Sequence, residues 1–329
     1  MTAVVGRKRQ SALDGFTAAL ALSVFVGAIF AATVLVLGTA YLVIKQPWSP
    51  WTWTLAVLTA TLAFVPLWKE NGPLGEGFMR YIVSHAEAYF PITVVCDGGA
   101  TFSRDTSYVI GLEPHSALPT AMPSTFSLQS TLLPDGLRGR THGLASSICF
   151  QIPLVRHLYW WIGIRPITRH SMRRLLHKRR NVVLVPGGVQ ECLYMQKDCE
   201  TAFLSKRKGF IRIAMQCGSP VVPCFAFGQG GTYSWYRPGP PLLSEAFVQA
   251  ASRRMGMVPL ALVGRWGTPA PINSPMTVVF GKPIDVPHKE HPTDEELQQY
   301  LDKYIAAMQD IFERHKAAAG YPHYRLHIL

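Results

Sequence analysis

A histidine stands where a buried strand ought to end. Residues 108–116 read YVIGLEPHS. Tyr108, Val109, Ile110 and Leu112 form a short β-prone apolar run, the pattern of a strand covered on both faces. Pro114 has no N–H to give to a ladder and stops it. His115 then falls at the strand-to-loop junction, a usual place for catalytic groups in α/β proteins. A neutral imidazole there can take a proton from an alcohol at physiological pH. A solvated loop histidine would look the same on this stretch alone, so the other motifs must decide.

Three other stretches carry chemical groups at suggestive spacing. Residues 182–191 read VVLVPGGVQE. A buried strand ends at Pro186, and Gly187-Gly188 permits close backbone approach and positive φ. Such a turn can aim N–H groups at an oxyanion or phosphate, although an ordinary turn has the same sequence. Glu191, three residues beyond Gly188, could orient a histidine and stabilise its charged form. Lys206-Arg207-Lys208-Gly209-Phe210 opens a helical pattern. Cations at a helix N-terminus oppose its dipole; a bound anion would resolve the conflict, as would plain solvation. Gly228-Gln229-Gly230-Gly231 follows another buried run and could close a pocket. No GxSxG elbow is present, which argues against a serine hydrolase. His288 and His291 sit among Pro287 and Pro292 and read as loop residues, so no metal is expected.

The elements that must position these groups are legible as alternation. β-prone runs occur at 93–96, 108–112, 142–146, 182–186, 221–227, 258–263 and 277–280, with helical patterns between them, such as 171–180 and 209–217. This order argues for an α/β fold, a sheet covered by helices. The clearest helix is 294–316. Thr293 is its N-cap, Glu296 completes a capping box, and Leu297, Leu301, Ile305, Met308 and Phe312 share one face. Core packing is the expected use of that stripe; lying on a membrane is the alternative.

The N-terminal part is different. No charge occurs between Asp14 and Lys45, so residues 15–44 can span ~30 Å of hydrocarbon. A signal peptide should have a shorter apolar region ending in a cleavage site. A turn with Pro47, Trp48 and Pro50 leads to a second uncharged stretch, 51–68, with Trp51, Trp53 and Trp68 at its ends. It either spans or re-enters. The expected organisation is a basic N-terminus (1–14), a hydrophobic helical hairpin (15–68) and a globular domain (69–329). Arg7, Lys8 and Arg9 before the hairpin, and basic sequence after it, place both flanks on the cytoplasmic side. Two buried core helices are the rival. Six scattered cysteines with no CxxC pair do not form a disulfide framework and fit a reducing compartment. The net charge of +12 suits anionic partners, namely lipid headgroups or a phosphate-bearing substrate. Without zinc-finger spacing or an RNA-binding aromatic signature, nucleic acid is not expected.

Six blocks in order resemble the type 2 diacylglycerol acyltransferase family, which includes monoacylglycerol acyltransferases and wax synthases. They are Tyr89-Phe90-Pro91, Glu113-Pro114-His115-Ser116, Val185-Pro186-Gly187-Gly188 with Glu191, Arg207-Lys208-Gly209-Phe210, Pro223 through Gln229, and Gly281-Lys282-Pro283-Ile284. EPHS resembles plant and algal members; animal members typically read HPHG. Glu113 thus replaces the first histidine, and His115 is kept. The acid typical of glycerol-phosphate acyltransferases is absent, with Thr120 in its place. The resemblance implies a membrane-anchored, glycerolipid-acyltransferase-like sheet. It implies acyl transfer from acyl-CoA, as co-substrate, to diacylglycerol at the endoplasmic reticulum or lipid droplets, without a cofactor. Monoacylglycerol or a wax alcohol is the alternative acceptor, and a non-catalytic lipid-binding protein is the alternative of another class. The expected catalytic pair is His115 as base with Glu191 orienting it. Glu113, Pro114, Ser116, Gly187 and Gly188 would position substrate or hold the oxyanion. Arg207, Lys208 and Gly209, with Arg173 and Arg174, would bind the CoA phosphates. The oligomeric state is not legible; a homo-oligomer stays open.

Overall fold

A computed structural model describes residues 3–7, 12–67, 73–196, 198–240, 243–255, 258 and 260–329. Lys8, Arg9 and Trp68, on which the membrane expectation leaned, lie outside them. The first apolar run is one helix, α1 (Ala12–Lys45), of 34 residues, about 51 Å long at 1.5 Å per residue. Helix α2 (Pro50–Phe64) follows, with Pro50 in its first turn, where a missing N–H costs nothing. Its 15 residues reach only about 22 Å, short of a ~30 Å hydrocarbon layer. Among the described helices α1 alone is long and apolar enough to cross a membrane. The two helices meet where the Thr39 and Thr59 hydroxyls lie 3.0 Å apart.

Helix α3 (Pro73–Tyr89) packs along α1 and leads into the sheet. The strands are β1 (Ala3–Arg7), β2 (Ile92–Cys96), β3 (Val109–Glu113), β4 (Thr141–Ala145), β5 (Arg165–Pro166), β6 (Asn181–Leu184), β7 (Cys199–Ala202), β8 (Val221–Phe227), β9 (Ser234–Tyr236), β10 (Ala261–Val263), β11 (Met276–Phe280) and β12 (Arg325–Ile328). Eight form one sheet in the order β1-β2-β11-β8-β3-β6-β4-β5; β9 pairs with β10, and β7 with β12. Strands β8, β3, β6, β4 and β5 run parallel. Their carboxyl ends therefore share one edge, and the loops after β3, β6 and β8 open there.

Helices α4 (Ala121–Thr125) and α5 (Val155–Trp161) follow β3 and β4; α6 (Arg169–His177), α7 (Gly209–Cys217), α8 (Glu245–Met255) and α9 (Asp294–His315) complete the chain. Alternation along the strands builds two core layers. Val222, Cys224 and Ala226 of β8 face a layer with Tyr89, Phe90 and Phe126. Val221, Phe225 and Phe227 face Phe210 and the α9 residues Leu297, Leu301, Met308 and Phe312. The capping box at Thr293 and Glu296 is present, so the helix starts where its sequence signals. The stripe on α9 is core. Phe312 is fully buried, with ring centres 5.1 Å from Phe225 and 5.6 Å from Phe227. Phe312→Ala is expected to cost about 3–5 kcal/mol, read as a lower thermal midpoint of the detergent-solubilised protein.

Candidate active site

The three loops at the shared edge meet around His115. Its Nδ1 lies 2.9 Å from the Ser116 carbonyl. A carbonyl only accepts, so Nδ1 carries the hydrogen and Nε2 keeps the lone pair. The Cys192 thiol lies 3.4 Å from Nδ1 and donates to the same carbonyl. Burial pushes Cys192 up to about 12, so it stays a thiol. Burial also holds His115 below the ordinary imidazole range, keeping it neutral at physiological pH. Among the described residues nothing is hydrogen-bonded to Nε2.

Glu191 lies behind the histidine but does not touch its ring. Its Oε2 accepts the backbone N–H of His115 at 2.7 Å, and its Oε1 accepts that of Phe203 at 2.9 Å. The expectation that Glu191 orients the imidazole is corrected to this extent: it fixes the main chain that carries His115, while Ser116 fixes the ring. Gly187 is required here, because a Cβ on it would come within 1.6 Å of Glu191 Oε1.

Glu113 ends β3, and its carboxyl is fully buried rather than open to substrate. Oε1 accepts the Gly187 N–H at 3.3 Å. That N–H is therefore spent and does not serve an oxyanion, as the sequence had led us to expect. Oε2 meets no N–H or hydroxyl donor. Glu191 is the group within reach, so a proton must join the two acids. Burial, then the charge of Glu191, raises Glu113 well above the usual carboxylate range. Burial lifts Glu191 less, to about 7, because the hydrogen bond from Glu113 and the N–H groups of Phe203 and His115 hold its charged form. Glu113 is thus the neutral donor and Glu191 the acceptor.

Arg207 completes this arrangement instead of facing outward. Its Nη2 donates to the Gly187 carbonyl and to Gln190 Oε1, both at 3.1 Å, and its guanidinium lies 5.0 Å above the Phe203 ring. Its charge favours the ionised forms of both Glu113 and Glu191. Its expected role on CoA phosphates conflicts with this inward placement. Lys208 Nζ lies 3.4 Å from the Asp294 carbonyl, and Gly209 opens α7. Arg173 and Arg174 sit on α6, apart from this cluster: Arg173 lies toward the Cys217 end of α7, and Arg174 lines a separate cleft.

Pro114 presents its carbonyl to Gln229 Nε2, whose Oε1 accepts the Ala121 N–H at 3.3 Å. Gln229 so ties the loop after β8 to both sides of His115. Gly228 allows it: its φ is +85°, and a Cβ would meet the Pro275 carbonyl at 2.0 Å. Ser116 has φ +53°, and its buried hydroxyl has no partner among the described residues. Gly188, at φ +64°, has open space where a Cβ would stand. Sequence reading missed Glu200. Burial, then the charge of Glu191, raises it to about 8. Its Oε1 and the Ser116 hydroxyl each lie 3.8 Å from the position of a Cβ on Gly230. Thr120 bonds Thr232 at 3.2 Å. Beyond His115, Leu118, Thr120 and Tyr233 line a narrow apolar cavity of about 40 Å³ with Leu22 and Val26 of α1. Among the described residues no three His, Cys, Asp or Glu side chains gather as metal ligands.

Comparison with known proteins finds acyltransferase relatives of this chain. A family model described as diacylglycerol acyltransferase matches residues 47–328. The human 2-acylglycerol O-acyltransferase 3 is 32% identical over 265 residues, 74% of either chain. The mouse acyl-CoA wax alcohol acyltransferase 2 is 29% identical over 303 residues, 88% of either chain. The mouse diacylglycerol O-acyltransferase 2 is 30% identical over 297 residues, 82% of this chain and 72% of its own. A solved 1-acyl-sn-glycerophosphate acyltransferase from Thermotoga maritima aligns with TM-score 0.41 at 13% identity, covering 87% of this chain and 97% of that one. The family match takes in the loops after β3, β6 and β8 together, and the chain belongs to the diacylglycerol acyltransferase family.

Proposed function

We propose that this acyltransferase moves the acyl group of an acyl-CoA to the free hydroxyl of 1,2-diacylglycerol, giving triacylglycerol and CoA. The observation that carries the reading is the free Nε2 of His115 at the head of a loop lining an apolar cavity against α1. Nε2 takes the hydroxyl proton as that oxygen attacks the thioester carbonyl. The C–S bond then breaks, and the imidazolium returns the proton to the leaving thiolate. No net proton is gained or lost. The depressed pKa keeps the base unprotonated beforehand and makes the imidazolium a willing acid afterwards. The Ser116 hydroxyl, buried and unpartnered, is the group we assign to the developing oxyanion. Glu191 holds the main chain of His115.

The substrate reading depends on access from a bilayer. Val34, Leu37, Tyr41 and Ile44 of α1, and Trp51 and Phe64 of α2, are exposed apolar side chains on neighbouring helices, as a lipid-facing surface requires. Arg156 of α5 donates to the Val65 carbonyl just past α2, and the first half of α1 packs on α3. Both ends of the apolar pair thus return to the same domain. We place that domain on the cytosolic face of the endoplasmic reticulum membrane, with lipid droplets as a second location. Monoacylglycerol and long-chain alcohols remain alternative acceptors, since relatives named for both are as similar as those named for diacylglycerol.

The test uses membranes of a yeast strain without its own neutral-lipid synthesis, labelled oleoyl-CoA, and the three acceptors in competition. Wild type is expected to favour diacylglycerol, and His115→Ala to lose about 10²–10⁴-fold in rate. Near wild-type turnover by a folded His115→Ala protein would remove the base. Preference for another acceptor would move the substrate, and no ester from any acceptor would favour a lipid-binding role.

The shared proton has its own signature. Glu113 and Glu191 titrate above the ordinary 4.5. The folded protein therefore keeps protons that the unfolded chain gives up first. Their contribution to stability is complete below about pH 4.5 and is lost as pH rises through about 7 and beyond. Glu113→Gln keeps a neutral donor and removes one titration. Its thermal midpoint is expected to fall less between pH 5 and 8 than that of wild type. An equally steep fall would exclude the shared proton.

A further inference from the structure

The acyl donor of the reaction proposed above carries phosphates, yet Arg207 is bonded inward to the Gly187 carbonyl and Gln190. Another part of the molecule gathers cations in excess of carboxylates. A cleft of about 1230 Å³ runs along the β5 edge of the sheet, with α3 on one side and α6 on the other. Arg165, His170, Arg174, Lys178 and Arg180 line it. His170 and Arg174 share one face of α6, and Lys178, four residues on, is its C-cap.

The acids in the cleft are already engaged. Glu76 pairs with Arg80 at 2.8 Å. Glu87 accepts the Thr131 N–H at 2.6 Å and its hydroxyl at 2.7 Å. Among the described residues no carboxylate is paired with Arg165, Arg174, Lys178 or Arg180. Arg165 is held in place: Nη1 donates to the carbonyls of Trp160 and Ile164 at 2.8 and 2.9 Å, and its guanidinium lies 3.8 Å over the Trp160 ring. Burial, then the charge of Arg174, lowers Arg165 to about 10, so like charges are concentrated there at a cost. A bound anion offsets that cost and meets a guanidinium that is already oriented.

Size and position select the anion. A lone phosphate or a lipid headgroup leaves most of such a cleft empty, whereas a nucleotide carrying several phosphates uses it. Strand β5 lies three steps from β3 across β6 and β4. At ~4.8 Å per step the cleft is roughly 14 Å from the strand that carries His115. An extended pantetheine arm bridges a distance of that order. We propose that the cleft binds the adenosine bisphosphate end of acyl-CoA through Arg165, Arg174 and Lys178, with the pantetheine arm crossing the strand ends to His115. This rests on the acyl-CoA reading above.

The test compares oleoyl-CoA with oleoyl-dephospho-CoA, which lacks the 3′-phosphate, in wild type and in Arg174→Ala/Lys178→Ala. Binding of labelled CoA to the detergent-purified protein is measured beside turnover. The double variant is expected to raise the KM for oleoyl-CoA about tenfold or more, to weaken CoA binding comparably, and to lose the wild-type preference for the 3′-phosphate. Arg174→Lys should restore part of it. An active double variant with unchanged KM and unchanged preference overturns the cleft and leaves the acyl-CoA reading intact. A variant that loses only a response to phosphatidylserine in phosphatidylcholine vesicles makes the cleft a headgroup site, which also overturns the proposal. Wild-type protein that neither binds CoA nor makes an ester from it overturns both readings. CoA binding without ester formation, weakened in the variant, keeps the cleft and rejects the reaction.

Discussion

Two carboxyl groups, Glu113 and Glu191, are sunk together behind one histidine. Water cannot solvate two charges there, so one acid keeps its proton and donates a hydrogen bond to the other. The surroundings follow from that constraint. Glu191 can accept from the N–H groups of His115 and Phe203 because Glu113 occupies its remaining side. Gly187 has no side chain because Glu191 occupies that space. Arg207 folds inward because the remaining negative charge lies inside the protein. The backbone of His115 is thereby fixed by a carboxylate, its ring is fixed by its neighbour's carbonyl, and one nitrogen is left for chemistry.

The sheet brings these groups together from distant parts of the sequence. Strands β3, β6 and β8 are adjacent and parallel, so residues 113–116, 185–191 and 228–232 leave the sheet side by side. Gln229 then joins Pro114 to Ala121 across the opening. Each of these loops is short, and each is anchored by a buried strand. Such a site gains precision from the scaffold rather than from the loops themselves.

What could be read from the sequence follows from which forces are local. Strand β8 and helix α9 were legible because their apolar patterns are long, and the start of α9 carries its own signal in Thr293 with Glu296. Strands β7 and β12 were not read, because each has only four residues and finds its partner over a hundred residues away. His115 and Glu191 were recognisable as residue types at a strand end and a glycine turn. Their relation was not, because whether a carboxylate meets a ring or a backbone N–H is decided by tertiary packing. Arg207 looked like an outward cation for the same reason: the sequence displays a charge but not the buried acid it faces. Glu200 had no signal at all, being one acid in a short edge strand.

Helix α1 is shared between two environments. Ala18, Ala21, Leu22 and Val26 are buried in the α/β domain, whereas Val34, Leu37, Tyr41 and Ile44 are exposed. Because these halves form one unbroken helix, α1 acts as a graduated rod. Each residue inserted between them would raise the domain by about 1.5 Å and turn it by about 100°. A single added residue would therefore swing the site away from its bearing relative to the exposed half, while seven, close to two full turns, would restore that bearing at a greater separation. The number of residues between Val26 and Val34 thus acts as a length gauge, setting both the separation and the compass bearing between the exposed apolar half and the domain.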